Sequence, residues 1–419
     1  MKLRKMVAAT LGAALVLTAC NGEDPDVTEP TDDAEPGDET DAADDEEAEE
    51  MPEATGDPVQ VGLVTMTSGV YAQLGEDVID GMELYLEQVG NQAADRPIEL
   101  IVEDETMDTG TALERTRRLV EAEEVDLLTG LVSTGSAYAV AEFVEQSEVP
   151  LIVSNAGGDD LARGDRSDYI VRTSFSNWQN NFAVGEWYYE NIGETVAIIA
   201  SDYAAGREHI AGFLESFEAA GGEVVEEVFT PLGSTDFSSA LGRLGASGAD
   251  GMYGFLAGTD GIIFVQEYAQ AGLQDSMPLV ASGFMVEEDV LTEIGDAALG
   301  TYSGLHWAYD LDTPENQEFV QLWEDTYDRT PSVYAVQGWD TARVIVDAIE
   351  ALDGDLEDAQ AVIDAMLEVE FDSPRGPFRL DPETHNVVHN VYLRQVVEMD
   401  DGIHNTMVEN LGEFADPGA

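Results

Sequence analysis

Cysteine occurs once in this 419-residue chain, at Cys20, so no disulfide can form within it. Lysine occurs twice, at Lys2 and Lys5, and every basic residue after them is an arginine. Seventeen basic residues stand against 87 acidic ones, a formal net charge of −70. That shortage of positive charge excludes nucleic-acid binding, which rests on Lys and Arg neutralising phosphate. It makes an anionic membrane face an equally poor partner. Apolar material is not lacking: 44% hydrophobic residues exclude global disorder, and the length suffices for two or three compact units.

The acidity is not confined to one segment. Residues 21–57 hold 18 acidic and no basic residues, which leaves 69 acidic residues against 14 arginines from Pro58 onward, about −55 for the folded part. Self-repulsion on that scale is poorly served by dilute buffer, where the Debye length is about 10 Å at 0.1 M salt; at 1 M it falls to about 3 Å. The composition therefore points to a saline habitat, with an acidic proteome without strong salt as the plainer alternative.

The N-terminus carries a processing signal. Lys2, Arg4 and Lys5 precede the apolar stretch Met6–Leu17, which is too short to span a bilayer. Leu17-Thr18-Ala19-Cys20 then has the form of a bacterial lipobox, making Cys20 the expected lipidated first residue of the mature chain. Residues 1–20 are thus a lipoprotein signal. Residues 21–57, rich in Asp, Glu, Pro, Thr and Ala, form an extended acidic tether that cannot bury enough to fold.

From Pro58 short β-branched runs alternate with amphipathic stretches. Strands are expected at Val59–Val64, Ile98–Val102, Val125–Leu128 and Leu151–Val153. A helix follows the first, from the three- and four-residue spacing of Leu74, Val78, Met82, Tyr85, Leu86 and Val89. Others lie near Gly110–Glu123 and Ser136–Ser147. The pattern restarts with strands at Thr195–Ala200, Glu223–Phe229, Gly251–Phe255 and Leu279–Ala281, separated by helices. Helices at Thr313–Asp328 and Ser332–Leu352 and strands near Gly376–Leu380 and Val387–Val397 complete it. Such βαβ alternation calls for α/β architecture with parallel sheets covered on both faces, in two similar lobes.

Open parallel sheets bind ligands beyond the carboxyl ends of their strands. Those positions hold Thr67–Tyr71, Ser133–Ser136, Asn155–Gly158, Asp202–Gly206, Phe255–Thr259 and Ser282–Phe284, rich in Gly, hydroxyls and aromatics. Helix N-termini beside hydroxyls make a carboxylate cradle. Tyr71, Tyr203, Phe255 and Phe284 can supply ring contacts or plain core.

Catalytic chemistry has no such support. No G-x-S-x-G, P-loop or dinucleotide fingerprint is present, so no enzyme class and no cofactor is expected. His385 and His389 are spaced for a metal only on a helix; in a strand region they are expected to face solvent. Glu103-Asp104-Glu105 lacks EF-hand spacing and is expected to be a solvated face. Arg163-Gly164-Asp165 reads as a turn.

Taken in order, Val61–Val64 with Ser68–Ala72, Val149–Ile152, Asp202–Gly206, Asp236–Ser238, Val336–Asp340 and Ser373–Phe378 resemble the solute-binding proteins of branched-chain amino acid-type ABC transporters. The resemblance covers roughly Pro58–Val397. It implies a type I periplasmic binding protein fold, two Rossmann-like lobes joined by a three-crossing hinge. The first lobe is expected over 58–174 plus 304–372 and the second over 175–303 plus 373–400, with 401–419 a tail. It also implies a monomeric receptor, anchored outside the cell membrane through Cys20, that captures a small carboxylate solute and hands it to permease subunits; a sensor that signals to a membrane partner is the alternative. The ligand positions implied are Tyr71, Ser133, Thr134, Ala156, Gly157, Gly158, Phe175, Tyr203, Phe255, Ser282 and Phe284, with a glycine at 158 where the family commonly has Thr or Ser. The family's acidic partner for a ligand ammonium has no counterpart in Ala281–Phe284. That favours an organic acid without a free amine, an aromatic acid among them, unless Asp202 or Asp260 substitutes.

Overall fold

In the computed structural model the described residues are 54–418, without Asp165 and Asp401. Cys20, the signal segment and nearly all of the tether lie outside them. The chain runs through β1 (Val59–Thr65), α1 (Ala72–Gln88), β2 (Gln92–Ala93), β3 (Arg96–Asp104), α2 (Thr109–Glu121), β4 (Leu127–Gly130), α3 (Thr134–Ser147), β5 (Leu151–Val153) and β6 (Ile170–Arg172). It continues with α4 (Asn177–Asn191), β7 (Thr195–Ser201), α5 (Ala204–Ala220), β8 (Glu223–Thr230), α6 (Ser238–Gly245), β9 (Gly251–Phe255), α7 (Thr259–Gln270), β10 (Leu279–Ser282), α8 (Glu288–Ile294) and β11 (Tyr302–Leu305). Then come α9 (Pro314–Tyr327), α10 (Val333–Ala351), α11 (Ala359–Leu367), β12 (Glu370–Ser373), β13 (Gly376–Leu380), β14 (Val387–Glu398) and β15 (Ile403–Phe414).

Two sheets result. The first has the order β2-β3-β1-β4-β5-β6, and the second β12-β13-β14-β11-β10-β9-β7-β8, with β15 paired to β14. The expected alternation holds because β1, β4, β5, β9 and β10 are almost wholly buried apolar runs, as parallel strands covered on both faces require. This is α/β architecture in two lobes.

Helix α10 returns to the first lobe and packs close against α1, backbone to backbone at two glycines. A Cβ on Gly81 would come within 2.1 Å of the Ala335 carbonyl oxygen, and one on Gly338 within 2.2 Å of that of Val78. Arg329, just before α10, fastens the same face by donating to Asp77 and Asp80 at 2.7 and 2.6 Å.

Three expectations are corrected. Residues 401–419 are not merely a tail, since 403–414 form β15, antiparallel to β14 with two register shifts. Its mixed sequence, with Gly412 and exposed Met407 and Val408, hides the strand periodicity. His385 and His389 do not face solvent. Both are buried, His385 beside the Ile170 carbonyl and His389 stacked on His306 at 4.8 Å. Glu105 is no solvated face either: it is fully buried and accepts from the Val132 and Ser133 amides at 2.6 and 2.9 Å. Arg163 pairs with Asp416 through two hydrogen bonds. Among the described residues no helix is long and apolar enough to cross a membrane, and no His, Cys, Asp and Glu cluster could hold a metal ion.

Candidate functional site

The strand-end loops of both lobes converge on one small cleft. Tyr71, Ser133, Thr134, Gly157, Phe175, Tyr203, Phe255 and Phe284 line it. Ala156, Gly158 and Ser282 do not. Ala156 spends its amide on the Leu131 carbonyl at 2.8 Å, and Ser282 lies behind the wall, with Oγ 3.1 Å from His209 Nδ1. At Gly158 a Cβ would meet the Tyr138 ring at 2.7 Å, so the volume of a Thr or Ser side chain is taken by that tyrosine.

Each wall follows from local structure. Ser133 is the N-cap of α3 and makes no side-chain cap bond, leaving its hydroxyl available beside the amides of the first turn. Glu105 holds the preceding loop by its two amide bonds. Ser176 and Gln179 form a capping box at α4, which fixes Phe175 just outside that helix. Phe175 and Phe284 meet at 4.7 Å between ring centroids, and Phe284 and Tyr334 at 6.0 Å. On the other side Phe255 lies 3.8 Å from the His209 ring and 6.3 Å from that of Tyr203.

The two lobes touch across the cleft. The hydroxyls of Tyr71 and Tyr203 are 3.4 Å apart. Burial pushes the Tyr71 phenol up to about 12, so both stay protonated and neutral at physiological pH. Tyr138 of α3 donates to Glu208 of α5 at 2.8 Å, and the other Glu208 oxygen accepts from the Asp159 amide at 3.1 Å and Asn177 Nδ2 at 2.8 Å. Asn177 Nδ2 also lies 3.3 Å from Thr134 Oγ1, tying this latch to the hydroxyl end of the cleft.

No Asp, Glu, Lys or Arg is among the described residues that line the cleft. Neither expected substitute fills that role. Asp202 is turned to Arg207, and Asp260 accepts from the Gly233 amide at 2.9 Å. Sequence reasoning missed Asn155, Asn177, His209 and Tyr334 as lining residues. Asn155 sits in a loop already singled out, whereas His209 and Tyr334 project from helices α5 and α10, where the strand-end rule does not look.

Two carboxyls around the site titrate abnormally. Burial lifts Glu105 to about 7 against its two amide donors, and burial lifts Asp159 to about 7 against the attraction of Arg163. Unfolded carboxyls titrate near 4. Between about pH 4 and 7 the folded chain keeps protons that the unfolded chain has lost. The stabilisation is complete below about 4 and is lost as pH rises through 7. Thermal unfolding is thus expected to occur at progressively lower temperature from about pH 5 to 7 and to level off above that. Glu105→Gln should flatten that slope, and an unchanged slope would contradict the assignment.

The family model described as a periplasmic binding protein matches residues 58–402. The Leu/Ile/Val-binding protein homolog 6 of Brucella melitensis is 33% identical over 371 residues, 87% of this chain and 94% of that protein. An ABC transporter substrate-binding protein from Sphaerobacter thermophilus is 39% identical with a TM-score of 0.81, covering 86% of this chain and 99% of that one. A solute-binding protein of an ABC transporter from R. palustris, solved in complex with benzoate, is 34% identical with a TM-score of 0.81, covering 86% and 98%.

Proposed function

This chain belongs to the periplasmic binding protein family, and from that premise we propose that it is an ABC-transporter receptor for a small aromatic carboxylate without a free amine. The observation that carries the reading is the cleft's want of charge. A buried ammonium without a counter-charge is costly, and among the described residues no carboxylate lines the cavity to supply one. A carboxylate needs no full positive charge if a helix N-terminus and hydroxyls meet it, as α3 with Ser133 and Thr134 can. The rings of Phe175, Phe255 and Phe284 give the rest of the ligand flat apolar walls. The benzoate complex of the R. palustris relative supports the same ligand class.

In this reading the solute bridges the lobes and stabilises their closed arrangement, which the permease subunits recognise. Lipidated Cys20 and the acidic tether hold the receptor outside the membrane, and the receptor works as a monomer. Solution scattering tests the closure. Benzoate is expected to reduce the radius of gyration of the ligand-stripped protein. No contraction with benzoate or any hydroxybenzoate would contradict the reading.

A further inference from the structure

His209 lies in the second turn of α5, 1% exposed, with its ring parallel to that of Phe255 within 9°. Its protonation pattern can be read from its neighbours. Asn181 Nδ2 donates to the Asn177 carbonyl, which can only accept, so this atom is the amide nitrogen and not the oxygen. Asn181 Oδ1 accepts from the Tyr253 hydroxyl, in agreement. The second Nδ2 hydrogen is then directed at His209 Nδ1, 2.7 Å away. Nδ1 is therefore an acceptor, and the ring proton sits on Nε2. That N–H has no hydrogen-bond partner among the described residues, and it is not one of the polar atoms sealed inside the protein. The residue is otherwise buried and lines the cleft, so the opening is onto the cavity.

We propose that His209 is the second lobe's specificity residue: it donates Nε2–H to an oxygen substituent on the ligand ring, so the cleft selects ring-oxygenated aromatic acids over the unsubstituted acid. The inference rests on the reading of the cleft as a receptor for aromatic carboxylates. The carboxylate end belongs to Ser133 and Thr134 of the first lobe, while His209 sits among the rings of Phe175, Phe255 and Phe284. Burial pulls the imidazole down to about 3, so the donor is uncharged throughout the physiological range and suits an uncharged oxygen. A ligand that presents only hydrocarbon to this N–H strands a buried donor, which weakens binding by about fivefold to a hundredfold.

The test is titration calorimetry on the ligand-stripped full chain with benzoate and with 2-, 3- and 4-hydroxybenzoate. At least one hydroxy isomer is expected to bind about tenfold or more tightly than benzoate. His209→Phe deletes the donor, and with it the acceptor of Asn181 Nδ2, so whatever it does to overall affinity it should bring the ratio of hydroxybenzoate to benzoate affinity to about one, and His209→Gln should retain part of the difference. Nitrogen-15 NMR of the wild-type imidazole reads the same contact without a variant: Nε2–H should be protected from exchange by the preferred hydroxybenzoate and not by benzoate. Equal binding of all four acids to the wild type would overturn the proposal and leave the carboxylate reading standing. A His209→Phe variant that loses benzoate as severely as hydroxybenzoate would do the same. Failure of every acid to bind the wild type would sink both.

Discussion

Asp340→Ala is expected to cost about 3–5 kcal/mol of folding stability, because it strands a buried guanidinium. Arg375 and Asp340 are both fully buried and meet at 2.8 Å. Ser373 donates to the same carboxylate, and Arg375 also donates to the carbonyls of Thr173 and Ser174. One pair thus joins the segment that leaves the first sheet after β6, helix α10, and the segment between β12 and β13. The Thr173 and Thr341 hydroxyls, 2.7 Å apart, brace the same junction. Urea unfolding should show the loss with little change in slope. Salt should not restore it, since a fully buried pair is screened far less than surface charge. The double variant Asp340→Ala with Arg375→Ala should lose much less than the sum of the two single changes. Additive losses would show that the two groups do not act as a pair.

Gly157→Ala is expected to weaken aromatic-acid binding by about fivefold to a hundredfold, the effect of about 1–3 kcal/mol of overpacking. The Cβ it adds would stand 2.3 Å from Asn177 Oδ1 and 2.4 Å from the Phe175 ring, both part of the cleft wall. Either the ring or the amide must move, and the amide cannot shift without disturbing its bonds to Thr134 and Glu208. Calorimetry with benzoate checks this. Wild-type affinity in that variant would mean that the loop after β5 does not shape the ligand site.

How far these features can be read from the chain alone depends on what each residue is used for. Strands such as Leu151–Val153 and Gly251–Phe255 announce themselves because both their faces are buried. Helix α4 does not, because Asn177, Gln179, Asn180 and Asn181 are buried polar residues bonded to the Val387 carbonyl, to His306, to His209 and to the cleft wall, which erases the amphipathic period. The same is true of histidines: His306 and His389 stack inside the protein between buried arginines, and no spacing rule foretells that. In the cleft, residues on strand-end loops were legible from topology, as Tyr71, Tyr203 and Phe255 show, whereas Phe175 came only from the family resemblance. His209 and Tyr334 come from helical turns, and only the folded chain brings them to the same cavity. The missing carboxylate was legible as well, from Ala281–Phe284, and the closed lining gives it a physical consequence.

That consequence is tested most directly by pairs of acids that differ only in the ammonium group. Calorimetric titration of the ligand-stripped protein with 3-phenylpropanoate and phenylalanine, and with 4-methylpentanoate and leucine, isolates it, with benzoate as the reference ligand. The uncharged cleft predicts that benzoate binds and that each amine-free acid binds better than its amino acid by about a hundredfold or more, the cost of an unpaired buried charge. Tight binding of leucine or phenylalanine with none of benzoate would contradict the account.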